Sequence, residues 1–226
     1  MEWAASLGLT LACVIHDFTK YIGFFALRLF SCRAVGGILP AVKALEHIVI
    51  LDTETGGLDP FEYSLMSVGF VTGDGTRSDE FFVSEPKMLT NPRSLAVNRL
   101  DPTQVAREGL EPGAAVDRIE AFLDAYPGPR PVMVVGHNVA FDLAFLRRIY
   151  AMADRPFPSD FSHRTVDTHT LLWALIAVGK LPPHVRGSDA AFAHFDIAPP
   201  DALRHTALGD AVATRDLVER LLELVG

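Results

Sequence analysis

The sequence predicts an α/β domain in which a mixed β-sheet carries helices on both faces. Residues 48–51 are β-branched or aliphatic, and such an uninterrupted apolar run is typical of a strand buried on both faces. Two more apolar strands, at 65–72 and 80–84, flank the turn Gly73-Asp74-Gly75, which favours an antiparallel pair. Strand-like and helix-like segments then alternate, as they do when helices connect parallel strands.

The later elements follow from the same patterns. The segment 114–125 has apolar residues at helical spacing, and the apolar run Val132–Val135 is predicted to be a buried strand. The other predicted elements are a short strand at 166–167 and helices at 92–98, 140–152, 168–178, about 188–194 and about 206–224. No internal repeat is present.

Composition limits the classes of protein that need to be considered. The chain has 226 residues, of which 49% are hydrophobic and 21% charged, as expected for a globular domain with a full core. A formal net charge of −8 argues against a broad basic surface for duplex DNA, but not against a small nucleic-acid site. Cys13 and Cys32 form neither a disulfide framework nor a metal-ligand pattern, so a cytoplasmic location is expected.

Residues 1–45 are predicted to form a hydrophobic, helical extension that precedes a domain at 46–226. Its apolar runs, 3–15 and 21–27, are both shorter than the roughly 20 residues that a transmembrane helix requires. Helices docked on the domain or on a partner are the favoured interpretation. A helix lying on a membrane surface is the alternative.

The first candidate site residues are Asp52 and Glu54, which follow directly on the first strand. Residues i and i+2 of a strand project to the same side, so these two carboxylates lie together and raise each other's pKa. A divalent cation, which prefers oxygen ligands, relieves this repulsion. Alternatively, the acids simply cap the strand at a solvated loop.

Two further acids occur in apolar surroundings at the start of predicted helices. Asp142 follows a strand end and Asn138, a candidate helix cap; the helix dipole alone is an alternative reason for an acid there. Asp210 lies about one turn into the last helix among alanine, leucine and valine, and His205 precedes that helix. Taken alone, a histidine that precedes a helix is most often a polar loop residue.

Together these stretches resemble the DEDDh branch of the DnaQ-like 3′→5′ exonucleases, in the ribonuclease H-like superfamily. The resemblance rests on Asp52-x-Glu54, on His-Asn-x-x-Phe-Asp ending at Asp142, and on His205-x-x-x-x-Asp210, and it covers about residues 46–224. His205, where the sister branch has tyrosine, indicates the histidine subclass. Gly56 departs from the pattern, since many members have threonine there.

The resemblance implies a ribonuclease H-like fold and a role for each motif residue. Two Mg²⁺ or Mn²⁺ ions would be bound, and would activate water and neutralise charge on the phosphate. Their ligands would be Asp52, Glu54, Asp142 and Asp210. His205 would accept the proton of the attacking water, because an imidazole exchanges protons near neutral pH. The residues expected to contact the 3′-terminal nucleotide are Thr53, Thr55, Leu58, His137 and Phe141, although His137 is equally suited to a capping role.

The leading functional hypothesis is an exonuclease that releases nucleoside 5′-monophosphates from the 3′ end of single-stranded DNA, in proofreading or repair. The alternatives are an RNA-directed exonuclease with the same site, similar to RNase T and the oligoribonucleases, and a noncatalytic nucleic-acid-binding module. A polymerase or another protein partner is expected to use residues 1–45. The arginines at 147, 148, 155 and 164 are candidates either for phosphate contacts or for a solvated surface.

Overall fold

The computed structural model describes residue 45, residues 47–198, residue 203 and residues 205–225. The predicted helical extension at 1–45 lies outside the described residues, apart from Leu45, whose side chain is buried against the first strand. The domain boundary at 45/46 therefore stays a prediction.

The described residues form five strands and seven helices. The strands are β1 (Ile48–Thr55), β2 (Leu65–Thr72), β3 (Ser78–Phe82), β4 (Val132–Gly136) and β5 (Phe161–Asp167). The helices are α1 (Pro92–Asn98), α2 (Pro102–Glu108), α3 (Pro112–Asp124), α4 (Val139–Met152), α5 (Thr168–Ala177), α6 (Ser188–Phe195) and α7 (Ala207–Val225).

The five strands form one mixed sheet in the order β3-β2-β1-β4-β5. The pairs β1–β2 and β2–β3 are antiparallel, whereas β4 lies parallel to both β1 and β5. The carboxyl ends of β1, β4 and β5 therefore meet at one edge of the sheet, which is where α/β folds commonly place their sites. The predicted mixed α/β fold is confirmed.

The alternation of side chains along β1 explains why both faces of the sheet are covered. Val49 and Leu51 point into a core formed with α3 and α4, through residues such as Ile119 and Phe145. The intervening Ile48 and Ile50 point to the other face, in a core with α7. A strand with no polar position before Asp52 is thus buried on both sides, as its sequence predicted.

Two predicted strand starts were wrong, and one helix was not predicted. Strand β3 begins at Ser78, two residues before its predicted start, because its polar residues pair with β2 at the exposed margin of the sheet. Strand β5 begins at Phe161 rather than at residue 166, because an edge strand tolerates the exposed run 163–165. Helix α2 was not predicted, because Val105 is its one buried residue and its sequence therefore has no apolar periodicity.

Among the described residues, no helix is both long enough and apolar enough to cross a lipid bilayer.

Candidate active site

Asp52 and Glu54 occupy the α7 side of β1. They continue the alternation of Ile48 and Ile50, so their side chains leave the sheet toward α7, and both are partly buried. A third predicted metal ligand, Asp210, lies in the first turn of α7. Strand and helix thus supply acids to the same region from opposite sides.

The first turn of α7 lies directly against the sheet. Thr206 caps it: its Oγ1 accepts a hydrogen bond from the Gly209 N–H (3.1 Å), and its carbonyl accepts one from the Asp210 N–H (3.0 Å). Gly69 of β2 makes the close approach feasible, because a Cβ at that position would lie 2.3 Å from the carbonyl carbon of Ala207. Packing therefore determines where Asp210 sits relative to β1.

We call Asp52, Glu54 and Asp210 the carboxylate cluster. One oxygen from each lies within 4.8 Å of the corresponding oxygens of the other two. Oxygens that share one divalent cation at about 2.1–2.4 Å lie no further apart than about 4.2–4.8 Å. Three oxygen ligands at this spacing fit a hard divalent cation such as Mg²⁺ or Mn²⁺.

The electrostatics of the cluster agree with that fit. Burial raises the pKa of Asp52 well above its usual value, and the charges of Asp142, Glu54 and Asp210 raise it further. Burial likewise raises the pKa of Glu54 from 4.5 to about 8, with Asp210 and Asp142 adding to the effect. Without a cation, the two acids on β1 resist simultaneous ionisation near neutral pH, so metal binding must displace protons.

Asp142 reaches the same region from the opposite face of the sheet. It lies in the first turn of α4, is only 3% exposed, and accepts a hydrogen bond from the Thr53 hydroxyl at 2.7 Å through Oδ1. Burial raises its pKa to about 7, although the hydrogen bond from Thr53 opposes the rise. Thr53 projects to the α4 side because it lies between Asp52 and Glu54 on β1.

A cavity of about 200 Å³, which we call the acidic cavity, joins these groups. Its walls include Asp52, Asp142 and Asp210 together with His137 and Phe141. Three of the five predicted substrate residues, Thr53, His137 and Phe141, thus lie beside three of the four predicted metal ligands.

His137 is fixed by its neighbours. Its Nδ1 lies 2.9 Å from the Thr168 hydroxyl at the start of α5, and its ring stacks edge-on against His169. Burial, followed by the charge of His169, lowers the pKa of His137. A neutral imidazole held in place is suited to orienting a ligand in the acidic cavity.

A second cavity, which we call the apolar groove, opens beside Glu54 and has a volume of about 350 Å³. Leu58, Val97 and Phe141 line it, and Leu58 and Val97 are 80% and 61% exposed. Thr53 and Thr55 also line it, so four of the five residues predicted to contact substrate meet here. Such a surface suits the face of an unpaired base.

His205 is the one predicted site residue that lines neither of these two cavities. It precedes the cap of α7 and has a left-handed backbone, with φ 62°. The residues that line the acidic cavity and the apolar groove do not include it. Its role as the proton acceptor stays a prediction.

Two subsidiary expectations need correction. Asn138 occupies the cap position of α4, but its backbone is left-handed and its side chain makes no capping hydrogen bond. Two of the four candidate arginines are paired with acids of the domain itself: Arg148 with Glu85, and Arg155 with Asp117 and Glu120. These ion pairs favour a structural role for both arginines over contact with phosphates.

Sequence reasoning missed several residues around the site. Glu80 of β3 faces the same side of the sheet as Asp52, and its charge raises the pKa of Asp52. Arg93 and Val97 of α1 line the apolar groove. The α1 segment itself was predicted, but no signal in the sequence showed which of its faces meets β1.

Comparisons with known proteins agree on the family and the fold. A family model described as an exonuclease, RNase T, matches residues 49–218. A DNA polymerase III subunit epsilon-like protein of Rhodobacter capsulatus is 28% identical over 77% of this chain. A PolC-type DNA polymerase III of Thermotoga petrophila is 23% identical over 93% of it. The chain spans less than a quarter of each of these relatives, 23% and 15% respectively.

Among solved structures, Escherichia coli exonuclease I in complex with a dT13 oligonucleotide superposes with a TM-score of 0.64 at 17% identity. That match covers 77% of this chain and 40% of exonuclease I. A product-bound structure of exonuclease I gives a TM-score of 0.62, also at 17% identity, over 78% of this chain and 43% of the other. At this level of identity the likeness establishes the fold.

Proposed function

The chain belongs to the RNase T exonuclease family, within the DnaQ-like, ribonuclease H-like superfamily, and from that membership we propose its reaction. It hydrolyses the terminal phosphodiester bond at the 3′ end of single-stranded DNA and releases a nucleoside 5′-monophosphate. Two divalent cations, Mg²⁺ or Mn²⁺, assist the reaction. Proofreading and repair are the processes that such an activity serves.

The observation that carries this proposal is the adjacency of the carboxylate cluster to the apolar groove. Glu54 belongs to both: its carboxylate lies within 4.8 Å of Asp52 and Asp210, and it also lines the groove with Leu58 and Phe141. A terminal base held in the groove therefore places its phosphate next to the acids. A site for internal cleavage has no need of such a pocket.

Each acid has a defined task in this scheme. Asp52, Glu54 and Asp210, whose oxygens lie within 4.8 Å of one another, would hold the cations, and Asp142 would complete the set from the α4 side. The bound cations supply charge neutralisation at the phosphate and lower the pKa of water. Thr53 keeps Asp142 in place through their 2.7 Å hydrogen bond.

The neighbouring residues position the nucleic-acid strand and accept the proton of the attacking water. Leu58 wedges against the terminal base, and Phe141 packs on it from the α4 side. His137 orients the end of the strand in the acidic cavity. His205 takes the proton from the attacking water.

DNA is preferred over RNA in this proposal. Curated relatives carry DNA polymerase III names, and exonuclease I was crystallised with a DNA oligonucleotide. The rival is an RNA-directed exonuclease with the same carboxylates, because the 2′-hydroxyl alone distinguishes the two substrates at such a site. The polymerase names also motivate the proposal of a polymerase partner for residues 1–45.

The test is a Mn²⁺-dependent digestion of matched single strands, one pair DNA and one pair RNA, labelled at either the 3′ or the 5′ end. A labelled mononucleotide appearing first from the 3′-labelled strand establishes the direction. Whichever of the two nucleic acids, DNA or RNA, is digested faster identifies the substrate class.

Asp52→Ala is the matched inactive variant, and it should abolish release because it removes a ligand of the cluster. Asp59→Ala, on the exposed loop after β1, removes an acid that is not in the cluster and should retain activity. Retained hydrolysis in Asp52→Ala refutes the site. No cleavage of either strand by folded wild type refutes the reaction and favours a binding role.

A further inference from the structure

Glu80 is a fifth acid beside the candidate site. The pairing of the three antiparallel strands places Asp52 opposite Gly69, and Gly69 opposite Glu80. Directly paired residues project from the same face of a sheet, so Asp52 and Glu80 both point toward α7. Gly69, between them, has no side chain.

The gap left by Gly69 is filled by the first turn of α7. A Cβ on Gly69 would lie 2.3 Å from the carbonyl carbon of Ala207 and 2.4 Å from the nitrogen of Leu208. The first turn of α7 therefore lies between two acids of the sheet, Asp52 on one side and Glu80 on the other.

Glu80 makes a direct hydrogen bond to this turn. Its Oε1 accepts a hydrogen bond from the Leu208 N–H at 3.0 Å. The next two N–H groups, of Gly209 and Asp210, are satisfied by Thr206, which belongs to the same segment as the helix. Of these three hydrogen bonds at the start of α7, the one to Glu80 is therefore the one that connects the helix to the sheet.

The position of this turn matters because Asp210 belongs to it. The Leu208 N–H is two residues before Asp210, and the cluster requires the Asp210 oxygen within 4.8 Å of those of Asp52 and Glu54. A shift of the first turn by about 1 Å is enough to disrupt the spacing of ligands that a site of this kind requires.

We propose that Glu80 is a positioning residue: by accepting the Leu208 N–H it sets the distance between Asp210 and the carboxylates of β1. Its role is carried by the reach of the side chain and by the hydrogen bond rather than by its charge. For the rate of hydrolysis this inference rests on the proposed function. The expected effect of Glu80 on Mn²⁺ affinity does not depend on the proposed function.

Two conservative substitutions separate the bond from the charge. Glu80→Gln keeps the length and an acceptor oxygen but removes the charge. Glu80→Asp keeps the charge but is one methylene shorter, so it cannot reach Leu208 from the same backbone position. Glu108→Gln is the matched control, because Glu108 lines the same cavity of about 360 Å³ as Glu80 but bonds to Arg107 and Gln104.

Mn²⁺ binding to the full chain is measured by titration calorimetry, and kcat and KM by digestion of a single-stranded DNA oligonucleotide. Glu80→Asp should weaken Mn²⁺ binding and lower kcat by about tenfold or more, the scale of leaving one part-buried N–H without its acceptor. Its KM should not change, because the apolar groove is formed by the β1 end, α1 and α4. Glu80→Gln should change Mn²⁺ affinity by no more than about threefold, as expected for a partly screened charge.

Two results overturn the inference. One is a Glu80→Asp protein that binds Mn²⁺ as tightly as wild type. The other is a Glu80→Gln protein as impaired as Glu80→Asp, which assigns the effect to charge. If wild type binds Mn²⁺ but cleaves nothing, the proposed function fails, while the Mn²⁺ affinities of the variants still decide the role of Glu80.

Discussion

Replacing Glu54 with glutamine should make the metal-free protein less sensitive to alkaline pH. Burial, together with the charges of Asp210, Asp142 and Glu80, raises the pKa of Glu54 from 4.5 to about 8 in the folded protein. In the unfolded chain this carboxyl ionises at its ordinary pKa. The folded state therefore holds the proton more tightly than the unfolded state does.

The sign and size of the effect follow from linkage. A raised carboxyl pKa contributes stability that is fully present below about pH 4.5 and is lost as the pH rises through about 8. Each pH unit between these values lowers the free energy of unfolding by about 1.4 kcal/mol. Between about pH 6 and pH 9, Glu54 alone should cost the metal-free protein about 2–3 kcal/mol.

Urea unfolding in the presence of a chelator, repeated across this pH range, measures the effect. Glu54→Gln should flatten the dependence of the unfolding free energy on pH by about 2–3 kcal/mol relative to wild type. Glu62→Gln, which alters an exposed glutamate outside the cluster, is the control and should follow wild type. Identical pH dependence in wild type and Glu54→Gln would refute the claim that Glu54 is protonated in the folded metal-free protein.

Three further predictions test other contacts. Thr53→Val removes the hydrogen bond that lowers the pKa of Asp142, so kcat should fall about tenfold and the acidic limb of the pH–rate profile should move to higher pH; an unmoved limb contradicts this. Gly69→Ala crowds the start of α7, and urea unfolding should show a loss of about 2 kcal/mol, with weaker Mn²⁺ binding in calorimetry; wild-type values for both contradict it. Arg148→Met leaves the buried carboxylate of Glu85 without its cation, and urea unfolding should show a loss of about 3–5 kcal/mol; a change below about 1 kcal/mol, as at an exposed pair, contradicts it.

The parts of the site that could be predicted from the sequence are those that depend on local geometry. The alternation of a strand puts Asp52 and Glu54 on one side whatever surrounds them, and the structure has this arrangement. The acids at 142 and 210 were identified by their motifs, and both lie in the first turn of a helix as predicted.

Features that depend on pairing between distant segments could not be predicted. The bond between Glu80 and Leu208 joins residues 128 positions apart, and it requires both the register of β3 on β2 and the gap at Gly69. Ser78 and Asp79 are polar and follow no apolar pattern, so neither the start of β3 nor its register on β2 could be predicted. The left-handed backbone of His205, with φ 62°, likewise has no signal in the sequence.

The order of these elements along the chain has a consequence for biosynthesis. The acids of β1 leave the ribosome before Asp210 and the turn that Glu80 bonds to, because these belong to α7, the last of the described helices. A nascent or truncated chain that lacks α7 has its sheet residues but an incomplete set of ligands. Such fragments should be inert toward the nucleic acid around them, so nuclease activity is withheld until α7 has been synthesised and has packed on the sheet.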